Sequence, residues 1–483
     1  MLKQLALGLL AAQTAASLRF VMYIDEYHTS DLPGVDQTAD IDHAIMAFAA
    51  TDLFNSDSAP SFTPFEPVET MRKRFSPDTK VMIAIGGWGD TAGFSKGAKD
   101  DASRERFAKN VASMLDANGF DGVDIDWEYP GGNGQDYKQV PNSDKVSEIE
   151  TYPKFLAAIR KEIGNKTLSI AVPGRKPDMI AWNSDTGPEI FKSVDMVNVM
   201  SYDLMNRRDN VTAHHTSVQG SLDVIQDYLD FGADPEMLNL GFAYYAKWFT
   251  TDPNSDCDQN PIGCKVVKLE NDDGSDNGKS GALTFEKGVM GAPPDEGTKC
   301  PDGTCCSAYG NCGSGDDFCQ AGCLSDYGTC KGISITDSWR RAKQDGKTDE
   351  KEGGQYYWDK ETNLFWTWDT PDLITQKFTD IVQAKKIGGV MAWSLGEDTY
   401  NFEHLQAMQN GVKNTPMAED TNGVRQAVVA GGAGYVETGK KVTDGAKEHL
   451  QEAAKKLAQK GLTPEKKEEL AKKLASKIAK VAA

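Results

Sequence analysis

No run in this 483-residue chain approaches 18 apolar residues, so no transmembrane helix is expected. Positive charge is in deficit. Lys and Arg number 52 against 72 Asp and Glu, a net charge of -20. A field of that sign repels phosphate backbones and argues against a nucleic-acid partner, while leaving neutral substrates open. Histidine is scarce. The six (His28, His43, His214, His215, His404 and His449) include no HExxH spacing. Nor is there a bias toward disorder, collagen or a coiled coil throughout. Hydrophobic residues make up 39% and charged residues 26%, the ordinary globular range. The length suggests about three domains, although barrels run longer as single units.

What is present begins with the leader. MLKQLALGLLAAQTAAS offers a positive Lys3, an apolar stretch Leu5–Ala12 and small residues at Thr14-Ala15-Ala16. Residues 1–17 therefore read as a secretory signal peptide, and an extracellular location is expected. Nine cysteines agree with export. Seven fall between Cys300 and Cys330, and the others are Cys257 and Cys264. Asn165-Lys166-Thr167 and Asn210-Val211-Thr212 are acceptor triplets for N-glycans.

Eight short apolar runs alternate with helical patterns. They are Phe20–Ile24, Ala44–Ala49, Val81–Ile85, Gly122–Trp127, Leu168–Val172, Met196–Tyr202, Leu238–Ala243 and Val390–Ser394. Helix-period stretches include Ala102–Leu115, Ile149–Ile163, Leu222–Phe231 and Leu373–Lys386. Near-continuous apolar strands separated by helices imply a parallel sheet. Eight units predict an α/β fold of the (β/α)8 TIM-barrel type, with a doubly wound open sheet as the rival. The barrel is expected over residues 18–250 and 354–412, with an insertion at 251–353 between the seventh and eighth strands. A linker at 413–440 contains Gly431-Gly432-Ala433-Gly434. The tail, 441–483, spaces Leu470, Leu474 and Ile478 as an amphipathic helix, and Thr463-Pro464 with Glu465 looks like a helix start. From Lys440 onward, twelve lysines against six acids give +6, leaving -26 on the rest. A solvated helical pair accounts for this tail better than attachment to an anionic surface, because its apolar stripe is narrow.

The most informative segment is Phe120-Asp121-Gly122-Val123-Asp124-Ile125-Asp126-Trp127-Glu128-Tyr129-Pro130. Side chains alternate along a strand. Asp124, Asp126 and Glu128 thus share one face, with neighbours about 6–7 Å apart. Three carboxylates so close cannot all ionise cheaply, so at least one pKa must rise. That keeps a proton available near neutral pH, as a general acid requires. Glu128 stands last, at the C-terminal strand end where barrel active sites lie, and is the candidate donor. Asp126 is the neighbour that can share a proton, and Asp124 lies one layer deeper. A solvated acidic strand or a Mg²⁺ or Ca²⁺ site are the alternatives. The solvated strand gives no reason for Gly122 before the acids or for Trp127 between the last two.

These residues resemble the DxxDxDxE signature of glycoside hydrolase family 18, the chitinases, here of the class V type. Other segments resemble the family in order: Ile83-Ala84-Ile85-Gly86-Gly87-Trp88, Met200-Ser201-Tyr202-Asp203, Gly241-Phe242-Ala243-Tyr244-Tyr245 and Met391-Ala392-Trp393-Ser394. The likeness runs from about Leu18 to Met408. It implies a retaining, substrate-assisted hydrolysis of β-1,4-N-acetylglucosaminide bonds, an exception to the two-carboxylate scheme. Glu128 would protonate the leaving oxygen, and the substrate's own acetamide oxygen would attack. Asp126 would hold the acetamide N–H and Tyr202 its oxygen. Asp203 would contact the sugar, Trp393 would floor the pocket, and Tyr23 and Tyr245 would line it. Phe48, Gly86, Gly87, Trp88, Asp121, Tyr129 and Met200 carry over as further substrate contacts. No cofactor and no metal are implied, and a monomer is expected. Trp127, on the opposite face, is expected in the core. Ala84 departs from the pattern, since the family often has Ser there, behind Asp124. Its loss puts the proton sharing of Asp124 and Asp126 in doubt.

The cysteine run Cys300-x4-Cys305-Cys306-Ser307-x-x-Gly310-x-Cys312-Gly313-x5-Cys319-x3-Cys323-x6-Cys330 is too short to build a core and needs bridges. Zinc is the alternative, but adjacent Cys305-Cys306 in an exported chain favours disulfides. The run resembles a hevein-type chitin-binding module, at about 298–331. That resemblance implies the pairs Cys300–Cys312, Cys305–Cys319 and Cys323–Cys330, with Ser307, Tyr309 and Phe318 as sugar contacts and Asn311 where a third aromatic is common. Cys306 lacks a local partner, which Cys257 or Cys264 could supply unless those two bridge each other. The rival functions are an endo-β-N-acetylglucosaminidase acting on glycoproteins and a catalytically inactive chitin lectin. The retained Glu128 speaks against the lectin, and the module speaks against the glycoprotein enzyme.

Overall fold

Each of the eight apolar runs forms a strand, and the eight close into one all-parallel barrel. In the computed structural model, which describes residues 18–29, 32–288, 299–307, 311–319 and 323–415, the first seven barrel strands are β1 (Arg19–Asp25), β2 (His43–Ala49), β3 (Lys80–Gly86), β4 (Gly122–Asp126), β5 (Thr167–Val172), β6 (Met196–Val199) and β7 (Leu238–Ala243). The eighth, Gly389–Trp393, pairs with both β7 and β1 and shuts the barrel. The open-sheet alternative is thereby excluded. The expected leader, the linker beyond residue 415 and the 441–483 tail lie outside the described residues. No helix among the described residues is long and apolar enough to cross a membrane.

The helices form where their capping residues allow. Asp100 accepts the Ser103 N–H and starts helix Asp101–Asn118, which ends at Gly119 in the left-handed conformation. Ser217 caps Val218–Asp230 in the same way, through the Gly220 N–H. Thr370 caps Pro371–Lys377, which continues as a π-helix over Phe378–Gln383. These helices cover the outward faces of the strands.

The two faces of β4 show what the alternation does. Trp127 is fully buried outside the barrel, stacked on Phe94 with centroids 5.3 Å apart and edge-on to Tyr152 and Phe155. Its indole N–H donates to Thr91 Oγ1 at 2.9 Å. The inward face carries the acids. Trp127→Ala should therefore cost about 3–5 kcal/mol of stability, read as a lower denaturant midpoint at unchanged slope.

Between β7 and the eighth barrel strand the chain builds a second sheet. Its strands are β8 (Tyr245–Thr250), β9 (Ser280–Thr284), β12 (Lys347–Asp349), β13 (Gly354–Asp359) and β14 (Leu364–Trp368), in the order β12-β13-β14-β8-β9. All its pairings are antiparallel. The edges of the insertion therefore lie further out than 251 and 353. Tyr245–Thr250 and the aromatic run Tyr356–Trp368 belong to this sheet, because β8 pairs with β14 and not with a barrel strand. Helix Ile335–Asp345 packs on it through Trp339, whose ring lies 5.1 Å from Trp366 and 5.0 Å from Trp368.

Two short strands, β10 (Cys305–Cys306) and β11 (Cys312–Gly313), pair inside the cysteine-rich segment, and the last barrel strand is β15. Four disulfides form: Cys257–Cys264, Cys300–Cys312, Cys305–Cys319 and Cys323–Cys330. The bridge expected at Cys306 is corrected. The eight other cysteines satisfy one another, and Cys306 is buried with its Sγ 3.7 Å from the Ser307 carbonyl oxygen. The segment is fastened to helix Ile335–Asp345 by a bridge between Cys323 and Ser334 and by Arg340, which pairs with both Asp326 and Asp337.

Candidate active site

β4 aims its acids into the barrel, and its neighbours supply what they need. Asp124 is fully buried. It accepts hydrogen bonds from Tyr23 Oη at 2.9 Å, Ser169 Oγ at 2.6 Å and Asn198 Nδ2 at 3.1 Å. These donors come from β1, β5 and β6. Asn198 also donates to Tyr23 Oη at 2.9 Å and accepts from Asn239 at 2.8 Å, so a polar layer crosses the barrel below the site. Ala84 sits directly beside Asp124 in the β3–β4 register. Asp124 is thus well supplied with donors although residue 84 has no hydroxyl.

Asp126 is only 4% exposed, and its Oδ1 has no hydrogen-bond partner among the described residues. A buried acceptor left empty is costly and awaits a donor. Burial raises the Asp126 pKa, and the Glu128 and Asp124 charges raise it further. Burial likewise pushes Glu128 up to about 7, against a hydrogen bond with Tyr129 and with the help of Asp203 and Asp178. Asp124 is pushed up to about 6 by burial, partly offset by its three donors. All three carboxylates resist ionisation more than exposed acids do. They lie in one line from the barrel floor to its mouth, with Glu128 the most accessible.

An aromatic wall surrounds them. Trp393, at the end of β15, stacks on Phe48 at 5.4 Å and leans on Tyr23 at 5.6 Å. Ser394 beside it donates to Asp25 Oδ2 at 2.6 Å, tying the ends of β15 and β1 together. Tyr202 and Tyr245 meet edge to face at 6.2 Å. Burial raises both phenols well above their ordinary value, so both remain O–H donors. Met200 packs against the same interior cluster. Trp88 is 45% exposed at the rim, 6.4 Å from Tyr129. Gly86 and Gly87 have φ of 106° and 91°. A Cβ on Gly86 would come within 2.3 Å of the Asp126 carbonyl oxygen. Only glycine lets the end of β3 pass so close to the acids.

One residue departs from the sequence reading. Asp121 does not reach the pocket. It lies at the opposite end of β4, where it accepts from Arg72 Nη1 at 2.6 Å and the Val81 N–H at 2.8 Å. Five residues of strand separate it from Asp126, about 16 Å. Tyr309 lies outside the described residues. Ser307 and Phe318 belong to the disulfide-knit segment, where Phe318 packs against the Cys305, Cys319 and Cys323 cluster.

Lys247 was not read from the sequence, though it follows Tyr245 by two residues and so shares its face of β8. Its Nζ lies 3.1 Å from Asp203 Oδ1, which also accepts from Tyr245 Oη at 2.8 Å. Burial opposes ionisation of Asp203, but Lys247, His215 and Tyr245 outweigh it and hold the carboxyl well below its usual range. Asp203 is a fixed anion beside acids that keep their protons. Among the described residues, Asp25, His28 and Glu397 bring possible metal-ligating atoms within 4.8 Å of one another. His28 Nδ1 already bonds Asp25 Oδ1 at 2.8 Å, so a hydrogen-bonded histidine accounts for that group.

Comparison with known proteins follows this geometry. The family model described as glycosyl hydrolases family 18 matches residues 19–398. "Chitinase 1" of Aphanocladium album is 31% identical over 189 residues, 37% of this chain and 43% of that protein. "Chitotriosidase-1" of Mus musculus is 26% identical over 311 residues, 58% of this chain and 62% of that protein. The matched part thus spans less than two thirds of either relative. Among solved structures, a chitinase from Rhizomucor miehei has a TM-score of 0.58 at 20% identity, covering 81% of this chain and 99% of that one. A Cycas revoluta family 18 chitinase in complex with (GlcNAc)3 has a TM-score of 0.54 at 19% identity, with 81% and 99% covered. Identities this low carry the fold alone.

Proposed function

Because the chain belongs to family 18 of the glycosyl hydrolases, we propose that it is a secreted chitinase of the class V type, cutting β-1,4 bonds between N-acetylglucosamine units with retention of configuration. The observation that carries the reading is the pair at the mouth of the barrel. Glu128 keeps its proton to about pH 7, next to a buried Asp126 oxygen that lacks a donor. A substrate acetamide N–H is the donor that oxygen fits. Glu128 passes its proton to the glycosidic oxygen as that bond breaks. The acetamide oxygen of the same sugar forms the new bond to the anomeric carbon, giving an oxazolinium-like intermediate. Asp126 accepts from the acetamide N–H and steadies the positive charge, while Tyr202 donates to the acetamide oxygen and holds it in line. Water then attacks the anomeric carbon, breaking its bond to the acetamide oxygen, and gives its proton to the Glu128 carboxylate, restoring the acid. Two inversions leave the configuration unchanged.

Trp393 offers an apolar face to the pyranose ring, with Tyr23, Phe48 and Tyr245 around it. The disulfide-knit segment is read as a hevein-type chitin-binding module using Ser307, Tyr309 and Phe318. Four disulfides support passage through an oxidising compartment.

The test is hydrolysis of N-acetylchitohexaose, with the product anomer followed by proton NMR. The β-anomer should appear first, and kcat should fall as pH rises through about 7, where Glu128 gives up its proton. An α-anomer as first product would overturn the retaining mechanism. Retention on chitin beads with no hydrolysis at any pH would make the protein a chitin lectin.

A further inference from the structure

Two residues before the cap of helix Val218–Asp230 lies a histidine that the mechanism above does not use. His215 is completely buried, and neither of its ring nitrogens has a hydrogen-bond partner among the described residues. A buried imidazole without partners is expensive, and its surroundings say where the missing bond belongs. Its Nδ1 lies 3.7 Å from Asp203 Oδ1, just beyond hydrogen-bond reach. Its ring lies 5.4 Å from that of Tyr245. The Leu204 N–H donates to the His215 carbonyl at 3.0 Å, so the loop that leaves Asp203 is closed back onto the histidine. Asp203 itself has φ of 55°, a conformation that needs support from its neighbours.

We propose that His215 is a positioning residue for sugar binding, its Nδ1–H closing onto Asp203 Oδ1 when substrate is present and fixing that carboxylate to receive a sugar hydroxyl. Lys247, Tyr245 and His215 all approach the same oxygen, Oδ1. The side chain is nevertheless 48% exposed, which leaves Oδ2 for the ligand. Lys247 supplies the charge that keeps Asp203 ionised. His215 cannot duplicate that role, because burial lowers its pKa despite the opposing influence of Asp203. Burial disfavours the charged ring, and the neutral ring offers one N–H. The charged groups that act on it are Asp203, Lys247 and Asp369. Its contribution is therefore direction. A hydrogen bond to a charged group aims Oδ2, where a charge alone would leave it free to swing. This rests on the chitinase reading, in which Asp203 meets the sugar.

The test compares His215→Phe with His215→Asn on N-acetylchitotetraose. Phe keeps the ring beside Tyr245 and removes both nitrogens. Asn keeps a donor near the Nδ1 position and loses the ring. The Phe variant should raise KM about tenfold, the equivalent of one charged hydrogen bond, with most of the loss in KM and little in kcat. The Asn variant should recover most of it. A structural role predicts the opposite order, since Phe preserves the packing better. An Asn variant as impaired as Phe, or a Phe variant with unchanged KM, overturns the proposal. If either variant fails to fold, ¹⁵N NMR of the histidines in the intact chain decides. An Nδ1–H tautomer whose proton moves downfield when oligosaccharide is added supports it, and an Nε2–H tautomer overturns it. A wild-type chain that binds but does not hydrolyse counts against the chitinase reading, and the tautomer result then stands by itself.

Discussion

Replacing Glu128 with glutamine is expected to lower kcat on an N-acetylchitooligosaccharide by about 10²–10⁴-fold, the range for losing a positioned general acid. Retention on chitin beads should be kept. The substitution changes neither length nor shape and removes only the transferable proton. Burial gives the wild-type carboxyl that proton, holding its pKa at about 7. Hydrolysis undiminished in the variant would take the donor role away from Glu128. The same substitution should also change stability in a defined direction. Burial raises the pKa of Asp124, Asp126 and Glu128 alike, whereas unfolded carboxyls titrate near 4. Between about pH 4 and 7 the folded chain therefore binds more protons than the unfolded one. The contribution of these three acids to stability is greatest below that window and declines as pH rises through it. Glu128→Gln removes one source of the decline. The variant should melt at a higher temperature than the wild type above pH 7, with the gap closing toward pH 4. Thermal scans across pH read this directly, and equal melting temperatures at pH 8 would contradict it.

The second large effect is expected at Asp126. Asp126→Asn should cost about 10²–10³ in kcat, the scale for removing one preorganised electrostatic contact to a developing charge. The amide keeps the volume but cannot ionise, so it cannot supply negative charge as the cationic intermediate develops. Substrate choice separates the two variants. An aryl glycoside with a good leaving group needs little protonation, so the Glu128→Gln deficit should shrink on it. The Asp126→Asn deficit should persist, because the intermediate still carries its charge. Two variants that respond alike to the leaving group would mean that the two acids do not divide the work in this way.

The barrel was legible because its strands are buried on both faces. A run such as Val81–Ile85 shows continuous apolarity that no surface strand would have, and β3 forms there. The acids were legible because a period of two puts Asp124, Asp126 and Glu128 on one face, and nothing in the tertiary structure altered that. Asp121 was misplaced because closeness in sequence stood in for closeness in space. On an extended strand, five residues are enough to leave the site. Ser169 and Asn198 carry the parity that points them inward, but only the register of β4 with β5 and β6 reveals that they meet Asp124. Lys247 carried only its parity with Tyr245, and His215 had no local signal. One pairs with Asp203 because β8 turns back beside the barrel mouth, and the other because a loop closes on itself. Cys306 could not be settled by counting, since the choice between two pairings depended on how far Cys257 lies from Cys264.

Tyr245 and Lys247, which hold Asp203, stand on β8, a strand of the inserted sheet. The insert looks removable in the sequence, yet it furnishes part of the candidate site. Cutting out residues 251–353 would strip β8 of one neighbour, β9. A strand bare on that side, carrying Tyr245, Trp248 and Phe249, is an invitation to pair with other chains. Resistance to aggregation and the support of Asp203 are thus vested in one six-residue strand. Any lineage that exchanges the insert must rebuild the cleft in the same step.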